Sequence, residues 1–214
     1  VAPDGAVWAP LALGNQLARF DPHHETFSIH PLEQGYYPHT LRFDAQGRIW
    51  YTVAVSNHIG RLDPATGEHL SVRLPSRSFR QGLAMRLMPV FIWLAQRIDF
   101  GEAAAAAGEG VAAPVPYGID IAPDGGVWFS QLNEHRIGRI DPATLDVELI
   151  DTPFSAPRRL RFDSQGRLWI PGFSSGLVAR FDPATREFTE YALPTLVPTS
   201  SGRAVDTPYA LNVD

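Results

Sequence analysis

The sequence has no cysteine among its 214 residues and carries a formal net charge of only -5. The first absence excludes disulfides, thiolate zinc sites and cysteine nucleophiles, and it leaves cytosol and periplasm both open as compartments. The low charge means that no basic field attracts phosphate backbones, so we expect no nucleic-acid partner. The sequence begins at Val1 with neither an initiator methionine nor a signal-peptide pattern, so any targeting segment would lie outside this stretch.

Two markers recur along the chain with the same spacing, which indicates an internal repeat. The first is tryptophan, with intervals of 42, 78 and 41 residues between successive copies. The second is an arginine followed by an apolar residue and Asp-Pro, with the same three intervals. The middle interval is one period plus an insertion. The copies are Trp8, Trp50, Trp128 and Trp169, and Arg19, Arg61, Arg139 and Arg180.

Each repeat unit reads as four short strands. In the second unit, period-two alternation around the turn at 45–47 predicts a hairpin, and Asp63–Gly67 has the composition of a tight turn. With 44% hydrophobic residues available for a core, the pattern predicts an all-β fold, a β-propeller built of four-stranded blades. The expected blades are about 1–31, 38–75, 116–153 and 157–194, with the start of a fifth at 208–214.

A single twisted blade cannot bury both of its faces. We therefore expect the blades to pack around an axis, commonly about four to eight in a ring, with the tryptophans in the seams. The first unit lacks an innermost strand, and the last stops at Asp214. Closing the ring needs more chain than this, so we expect a fragment of a larger propeller. The alternative is a small ring that closes on itself with a split blade.

Residues 76–113 interrupt the repeat and differ from it in character. Their apolar residues recur at helical spacing with arginines among them, which predicts a helical insertion with a basic amphipathic helix over 79–100. The apolar run is too short to span a bilayer. Packing as a lid or a subunit contact, contact with another protein and peripheral attachment to a membrane all stay open. The residues concerned are Leu83, Leu87, Phe91, Leu94 and Ile98, with Arg77, Arg80, Arg86 and Arg97.

The repeat register also predicts a site for a small-molecule ligand. Equivalent inner-strand residues of a propeller converge on its axis, and the residue after each blade-opening proline is such a position. We expect four of these residues to face one mouth, and they are His39, Tyr117, Arg158 and Tyr209. A hairpin centred near Gln46 pairs residue 39 with residue 53. That pairing adds the equivalent positions on the return strands, which are Val53, Gln131 and Gly172.

His39 is the candidate catalytic residue, because an imidazole titrates near neutral pH and can act as a base. Tyr117, Gln131, Arg158 and Tyr209 are the candidate substrate-binding residues. Structural roles are the alternative to these functional ones. In that case His39 hydrogen-bonds within the rim, the two tyrosines pack with satisfied hydroxyls, and Arg158 pairs with an acid of another blade. No metal ligands are identified.

A family resemblance rests on four segments, which are Pro116–Ile119, Val127–Gln131, Arg136–Ile140 and Glu187–Pro194. They resemble the repeat of the virginiamycin B (streptogramin B) lyase family. The resemblance implies a seven-bladed propeller that linearises a cyclic depsipeptide by elimination across its ester. It also implies a histidine base in a Pro-His-Gly context, a glutamate opposite it, a second Pro-His in the adjacent blade and a magnesium ion.

Carried over by position, His39 follows a proline and matches one of the two Pro-His sites. The positions where a glutamate would face the base hold valine, glutamine and glycine, and Tyr117 stands in place of a second histidine. A lone histidine cannot hold a divalent ion that polarises an ester oxygen. Either the catalytic blades lie outside this chain, or the activity has been lost or changed.

Three functions follow from these observations. The first is a lyase-like enzyme that acts on a cyclic ester or related small molecule at the axial mouth, with His39 as the base. The second is a noncatalytic module that binds a ligand or a protein, as the extracytoplasmic part of a larger chain. The third is a lactone hydrolase of the gluconolactonase type, which would need a calcium site rich in Asp, Glu and Asn that the sequence does not show.

Overall fold

The structure, a computed structural model, describes residue 2 and residues 4–32, 34–95, 113–194 and 206–213. It contains four antiparallel sheets, one three-stranded and three four-stranded, in which every strand pairs with its neighbour along the chain. The inner strands of successive sheets contact one another, so the sheets are arranged as blades around an axis. This arrangement confirms the predicted all-β propeller.

Blade 1 contains β1 (Val7–Leu11), β2 (Gln16–Asp21) and β3 (Thr26–Pro31). Blade 2 contains β4 (Pro38–Phe43), β5 (Ile49–Val53), β6 (His58–Leu62) and β7 (His69–Arg73), and the helix α1 (Phe79–Ala95) follows it. Blade 3 contains β8 (Pro116–Ile121), β9 (Val127–Gln131), β10 (Arg136–Ile140) and β11 (Val147–Asp151). Blade 4 contains β12 (Arg161–Phe162), β13 (Leu168–Gly172), β14 (Leu177–Asp182) and β15 (Glu187–Ala192).

The tryptophan markers of blades 1 to 3 lie in the seams between neighbouring blades. Trp50 is fully buried and packs in one cluster with Ile119 and Phe129 of blade 3. Trp8 belongs to the cluster that blade 1 shares with blade 2, and Trp128 to the one that blade 3 shares with blade 4. Truncating a buried tryptophan to alanine typically costs about 3–5 kcal/mol. The repeated tryptophan therefore holds successive blades together.

Two glycines that precede the marker arginine make room for an aromatic ring on the adjacent strand. Gly60 pairs with Tyr51, and Gly138 pairs with Phe129. A Cβ atom at either glycine would overlap the facing ring. Because the ring lies over the glycine, it fills the space that a side chain would otherwise occupy, and the sheet stays densely packed.

The first hairpin turn of a blade takes two forms. In blades 2 and 4, the aspartate that starts the turn accepts the indole N–H of the marker tryptophan, at 2.9 Å for Asp44 and 2.8 Å for Asp163. In blades 1 and 3, the aspartate lies later in the turn and pairs with the marker arginine, as in Asp4 and Arg19 at 2.8 Å. In both forms a marker side chain stabilises the turn.

The inner strands of blades 2 to 4 begin at the same end of the blades, because strand directions alternate in the same way in these three sheets. We call this end the mouth face, and it holds residues 38–39, 116–117 and 157–158. The insertion follows the end of β7 and precedes the start of β8. It therefore leaves and rejoins the propeller on the mouth face.

The structure describes the helix α1 over Phe79–Ala95, and residues 96–100 of the helix predicted over 79–100 lie outside the described residues. Leu83 and Leu87 are exposed. The predicted apolar stripe therefore does not pack against the propeller through these two leucines. In the part of the chain that the structure describes, no helix combines the length and the apolar character needed to cross a membrane.

Candidate functional site

The inner strands carry the predicted mouth residues to the mouth face. His39 and Tyr117 are the second residues of β4 and β8. In blade 4 the inner strand is interrupted, and Arg158 lies between an isolated bridge at Pro157 and the short strand β12. Tyr209 belongs to the next inner segment, which forms a parallel bridge to blade 4 through its neighbouring residue.

These four side chains form one continuous set of contacts. The ring centroids of His39 and Tyr117 lie 4.2 Å apart. The Tyr117 and Tyr209 hydroxyls are hydrogen-bonded to each other. The Arg158 guanidinium carbon lies 5.2 Å from the centroid of the Tyr117 ring and 4.6 Å from that of the Tyr209 ring. The structure thus brings together the four residues that the repeat register assigned to one mouth, and we call them, with Phe173, the axial cluster.

The Arg158 guanidinium is held by aromatic faces. Its carbon lies 3.5 Å from the ring centroid of Phe173, and Nη1 lies 3.4 Å from the Tyr117 hydroxyl oxygen, to which it donates. Among the described residues no carboxylate pairs with Arg158 or with the adjacent Arg159, and the Nε atoms of both are buried without a hydrogen-bond partner. Cation–π contacts stabilise a guanidinium but do not neutralise its charge. The cluster therefore offers positive charge to an anionic or carbonyl-bearing ligand.

His39 is half-buried beside these cations. Burial lowers the pKa of its imidazole below the ordinary value of 6.5, the Tyr117 carbonyl opposes this shift, and the charges of Arg159 and Arg158 add to it. Nδ1 lies 2.9 Å from Thr40 Oγ1 and 3.4 Å from the Tyr117 carbonyl oxygen. Since a carbonyl only accepts, the tautomer that fits carries its proton on Nδ1. Nε2 then holds the lone pair of a neutral imidazole, the form that a base requires.

The Tyr117 phenol is protonated at ordinary pH. Burial, together with its bond to the Tyr209 hydroxyl, raises the pKa of its phenol to about 12. The nearby arginines oppose this shift with a smaller effect. The phenol therefore stays protonated from neutral pH up to about pH 12, a range in which the neighbouring imidazole is neutral. Of the two rings in contact, only the imidazole is suited to accept a proton from a substrate.

Two hydroxyls behind the cluster position its backbone. The Thr52 hydroxyl accepts the Thr40 N–H at 3.0 Å and donates to the Tyr117 carbonyl oxygen at 3.2 Å. The Ser130 hydroxyl makes the equivalent two bonds in the next seam. Each hydroxyl thus links the inner strand of its own blade to that of the following blade. The sequence interpretation missed them, although a hydroxyl two residues after the marker tryptophan recurs in both blades.

The predicted pairing of residue 39 with residue 53 is wrong by one position. Pro38 pairs with Val53, and Pro116 pairs with Gln131, because each inner strand carries a bulge just after its first residues. The bulge arises where the Thr40 N–H donates to the Thr52 hydroxyl in place of a backbone carbonyl. The expected pairing holds only beyond the bulge, from Leu41 onward.

The return-strand residues lie in the interior. Gln131 is fully buried, and its Nε2 donates to Asn57 Oδ1 of blade 2 at 2.9 Å. Val53 is also buried, and a Cβ atom at Gly172 would meet Leu177 and Phe154. In the described residues these side chains fill the space behind the mouth, and the contacts of Gln131 are with the neighbouring blade.

Phe173 and Arg159 are further members of the site that sequence reasoning missed. Phe173 follows the return strand of blade 4 and lies under the Arg158 guanidinium. The Arg159 guanidinium carbon lies 5.4 Å from the ring centroid of Tyr209. No repeated motif marks either residue, because the equivalent positions of other blades hold different residue types. Their roles depend on how blade 4 meets the next inner segment.

The described residues do not provide a set of ligands for the magnesium ion that the family resemblance implies. No group of three His, Asp or Glu side chains that could hold a metal ion occurs among them. The guanidinium groups of Arg158, in the axial cluster, and of the adjacent Arg159 repel a divalent cation. We therefore derive no chemical step through a metal from these residues.

No protein-family model and no curated protein sequence matches this chain, but solved structures do. A streptogramin B lyase structure matches with a TM-score of 0.69 at 23% identity, over 91% of this chain and 53% of that one. A catalytically inactive variant of virginiamycin B lyase from Staphylococcus aureus, with quinupristin, matches with a TM-score of 0.69 at 19% identity. This second match covers 94% of this chain and 59% of that one.

Hydrazine synthase from Kuenenia stuttgartiensis matches to a similar degree, with a TM-score of 0.65 at 16% identity, over 94% of this chain and 52% of that one. At these identities the likeness establishes the fold, a β-propeller of the kind found in streptogramin B lyases. The chain spans about half the length of the streptogramin B lyase structure. A shared fold does not by itself determine a reaction.

Proposed function

We propose that this propeller binds a small cyclic ester, or a related molecule, at the axial cluster and opens it by elimination. The observation that carries the proposal is that His39 and Arg158 contact the same tyrosine ring, that of Tyr117. Among the described residues, the Arg158 guanidinium has no carboxylate partner. An elimination across an ester needs a base and a group that stabilises the departing carboxylate. These two side chains supply both functions.

These two side chains are enough to account for every bond and proton that changes in the elimination. His39 Nε2 takes the proton from the carbon next to the one that bears the ester oxygen. The electron pair of that C–H bond forms a C=C double bond, and the C–O bond breaks with its electrons on oxygen. The departing group is a carboxylate, and the Arg158 guanidinium binds it through charge-assisted hydrogen bonds. The exposed parts of the aromatic rings bind the apolar part of the ligand.

The likeness to structures of streptogramin B lyases supports quinupristin as the first substrate to test. The purified protein should open its lactone to a product of unchanged mass, since elimination only rearranges bonds, whereas hydrolysis adds one water. His39→Ala should lower the rate by about 10²–10⁴-fold, the usual contribution of a general base. His23→Ala, at an exposed turn of blade 1, is the matched control and should leave the rate unchanged. A product heavier by one water, or equal rates for the two variants, overturns the proposal.

A second function, ligand binding without catalysis, is favoured by a specific observation. Val53 pairs with Pro38 beside His39, and Gln131 pairs with Pro116 beside Tyr117; neither is a carboxylate that could orient an imidazole. In this case an anionic ligand binds with the same affinity to the wild type and to His39→Ala, and Arg158→Gln abolishes binding. No turnover accompanies either result. The lactone hydrolase alternative has no support in the described residues, since they hold no acidic cluster for calcium.

A further inference from the structure

The helix α1 presents an apolar ridge to solvent. Phe79 is 85% exposed, and Leu83, Leu87 and Val90 are also exposed. Their spacing of four, four and three residues places them on one side of a helix with about 3.6 residues per turn. We call these four side chains the α1 ridge. A contiguous apolar patch of large side chains on a surface usually marks an interaction site.

The opposite side of the helix is fixed to the propeller. Met85 and Gln81 are buried, and Gln81 Nε2 is hydrogen-bonded to the Glu134 carboxylate in the turn between β9 and β10. Just before the helix, Arg77 bonds Glu134 Oε2 at 2.6 Å and Asp151 Oδ1 at 2.7 Å. Because these contacts lie on the far side from the α1 ridge, they hold the ridge outward.

Positive charge flanks the ridge on both sides. Arg80 and Arg86 are exposed, and the helical repeat places one on each side of the line through the ridge residues. The sequence contains no aspartate or glutamate between Glu68 and Asp99. The surface around the ridge is therefore apolar along its centre and basic at its margins.

We propose that the α1 ridge lies on the surface of an anionic phospholipid bilayer. The ridge side chains enter the boundary between headgroups and acyl chains, and the flanking arginines bind the phosphates of the headgroups. A second copy of this helix is a poorer partner for the ridge. If two ridges packed against each other, their arginines would come together, and residues 69–98 contain no acidic side chain to pair with them. Charge complementarity therefore selects lipid as the occupant.

The mouth face is the end of the propeller that approaches the bilayer in this arrangement. The helix is anchored at the turn that contains Glu134, and this turn lies on the same face as Tyr117 and Arg158. Attachment therefore holds the axial cluster on the side nearest the membrane. This inference rests on the helix alone and does not depend on the function proposed for the axial cluster.

Cosedimentation of the purified protein with vesicles tests the proposal. Vesicles of equal parts phosphatidylcholine and phosphatidylserine should bind the protein, whereas vesicles of phosphatidylcholine alone should bind it much more weakly. Added salt should weaken the binding. Arg80→Gln and Arg86→Gln should each lower the partition coefficient about fivefold. Arg186→Gln, at an exposed turn on the opposite face, is the control and should have no effect.

The ridge itself is tested by replacing its leucines. Leu83→Gln should reduce vesicle binding, and Leu13→Gln should not, because Leu13 is 95% exposed but lies outside the helix. Circular dichroism of each variant checks that the fold is kept. Equal binding to the two kinds of vesicle, or no effect of the Leu83 and arginine changes, overturns the proposal. Concentration-dependent dimers that Leu83→Gln dissociates, without vesicle binding, would assign the ridge to a second copy of the chain instead.

Discussion

The Ser130 hydroxyl donates a hydrogen bond to the carbonyl oxygen of Arg158 at 2.8 Å, across the seam between blades 3 and 4. The same hydroxyl oxygen accepts the Gly118 N–H at 2.9 Å. A Cβ atom at Gly118 would lie only 2.5 Å from that Arg158 carbonyl oxygen, so the two inner strands approach as closely as glycine permits. The position of the Arg158 side chain therefore depends on a serine that does not line the axial cluster.

Ser130→Ala should lower the free energy of unfolding by about 1–3 kcal/mol, because a buried N–H and a buried carbonyl lose their partner. It should also weaken ligand binding at Arg158, since the backbone there is no longer fixed. Urea unfolding of the variant against Ser28→Ala, an exposed serine on β3, measures the difference. Equal midpoints for the two variants would contradict this role of the hydroxyl.

Gly138→Ala should destabilise the protein by about 1–3 kcal/mol, because the added methyl overlaps the Phe129 ring and forces a repacking. Blade 4 has Ala179 opposite Ile170 at the equivalent positions. The double variant Gly138→Ala with Phe129→Ile copies that pair and should recover part of the loss. A thermal-unfolding double-mutant cycle measures the coupling, and strictly additive effects would refute the explanation.

Asp120→Ala should be more damaging than Asp124→Ala in the same blade. The Asp120 side chain is only 15% exposed and joins three blades, since it accepts the Phe162 N–H at 2.8 Å and pairs with Arg42 Nε at 3.2 Å. Its removal leaves both partners unsatisfied and should cost about 2–4 kcal/mol. Asp124 pairs with Arg139 at 3.2 Å on the surface, where such pairs are worth about 0–1 kcal/mol. Chemical denaturation that ranks the two variants the other way would contradict this assignment.

The protein should lose stability as the pH falls below about 6.5. Burial lowers the pKa of His30, His39 and His58 in the folded state, so the unfolded chain takes up protons first. The free energy of unfolding therefore rises with pH through the window below 6.5 and levels off above it. Urea midpoints measured across this window test the sign, and His58→Gln should reduce the slope. Stability that increases on acidification would show that the histidines gain partners on protonation.

The rate at which the cyclic ligand is opened should fall as the pH decreases, with an apparent pKa below 6.5. His39 must be neutral to act as a base, and burial lowers its pKa. Tyr117, with a pKa of about 12, should add no basic limb below that value. A profile of kcat/KM against pH tests both points. A rate that depends on a group titrating well above 6.5 would exclude His39 as the base.

The sequence predicted the blades because two marker residues, a tryptophan and an arginine, recur at the same intervals and have the same structural role in successive blades. The tryptophans of blades 1 to 3 fill the seams, and Arg19 and its equivalents lie opposite the tryptophans on the next strand. The same register identified His39, Tyr117, Arg158 and Tyr209 as neighbours. It did not reveal the bulge after Pro38, because the bulge depends on a hydrogen bond to a side chain of another strand.

By itself, then, the sequence determined the all-β class and the repeat of four-stranded blades, since period and turn chemistry are local properties. Only the tertiary structure decided which charges are paired, which rings cover Arg158, and which side of α1 faces solvent. These properties depend on the distance between elements far apart in the chain. The burial that lowers the pKa of His39 belongs to the same class, because neighbouring blades create it.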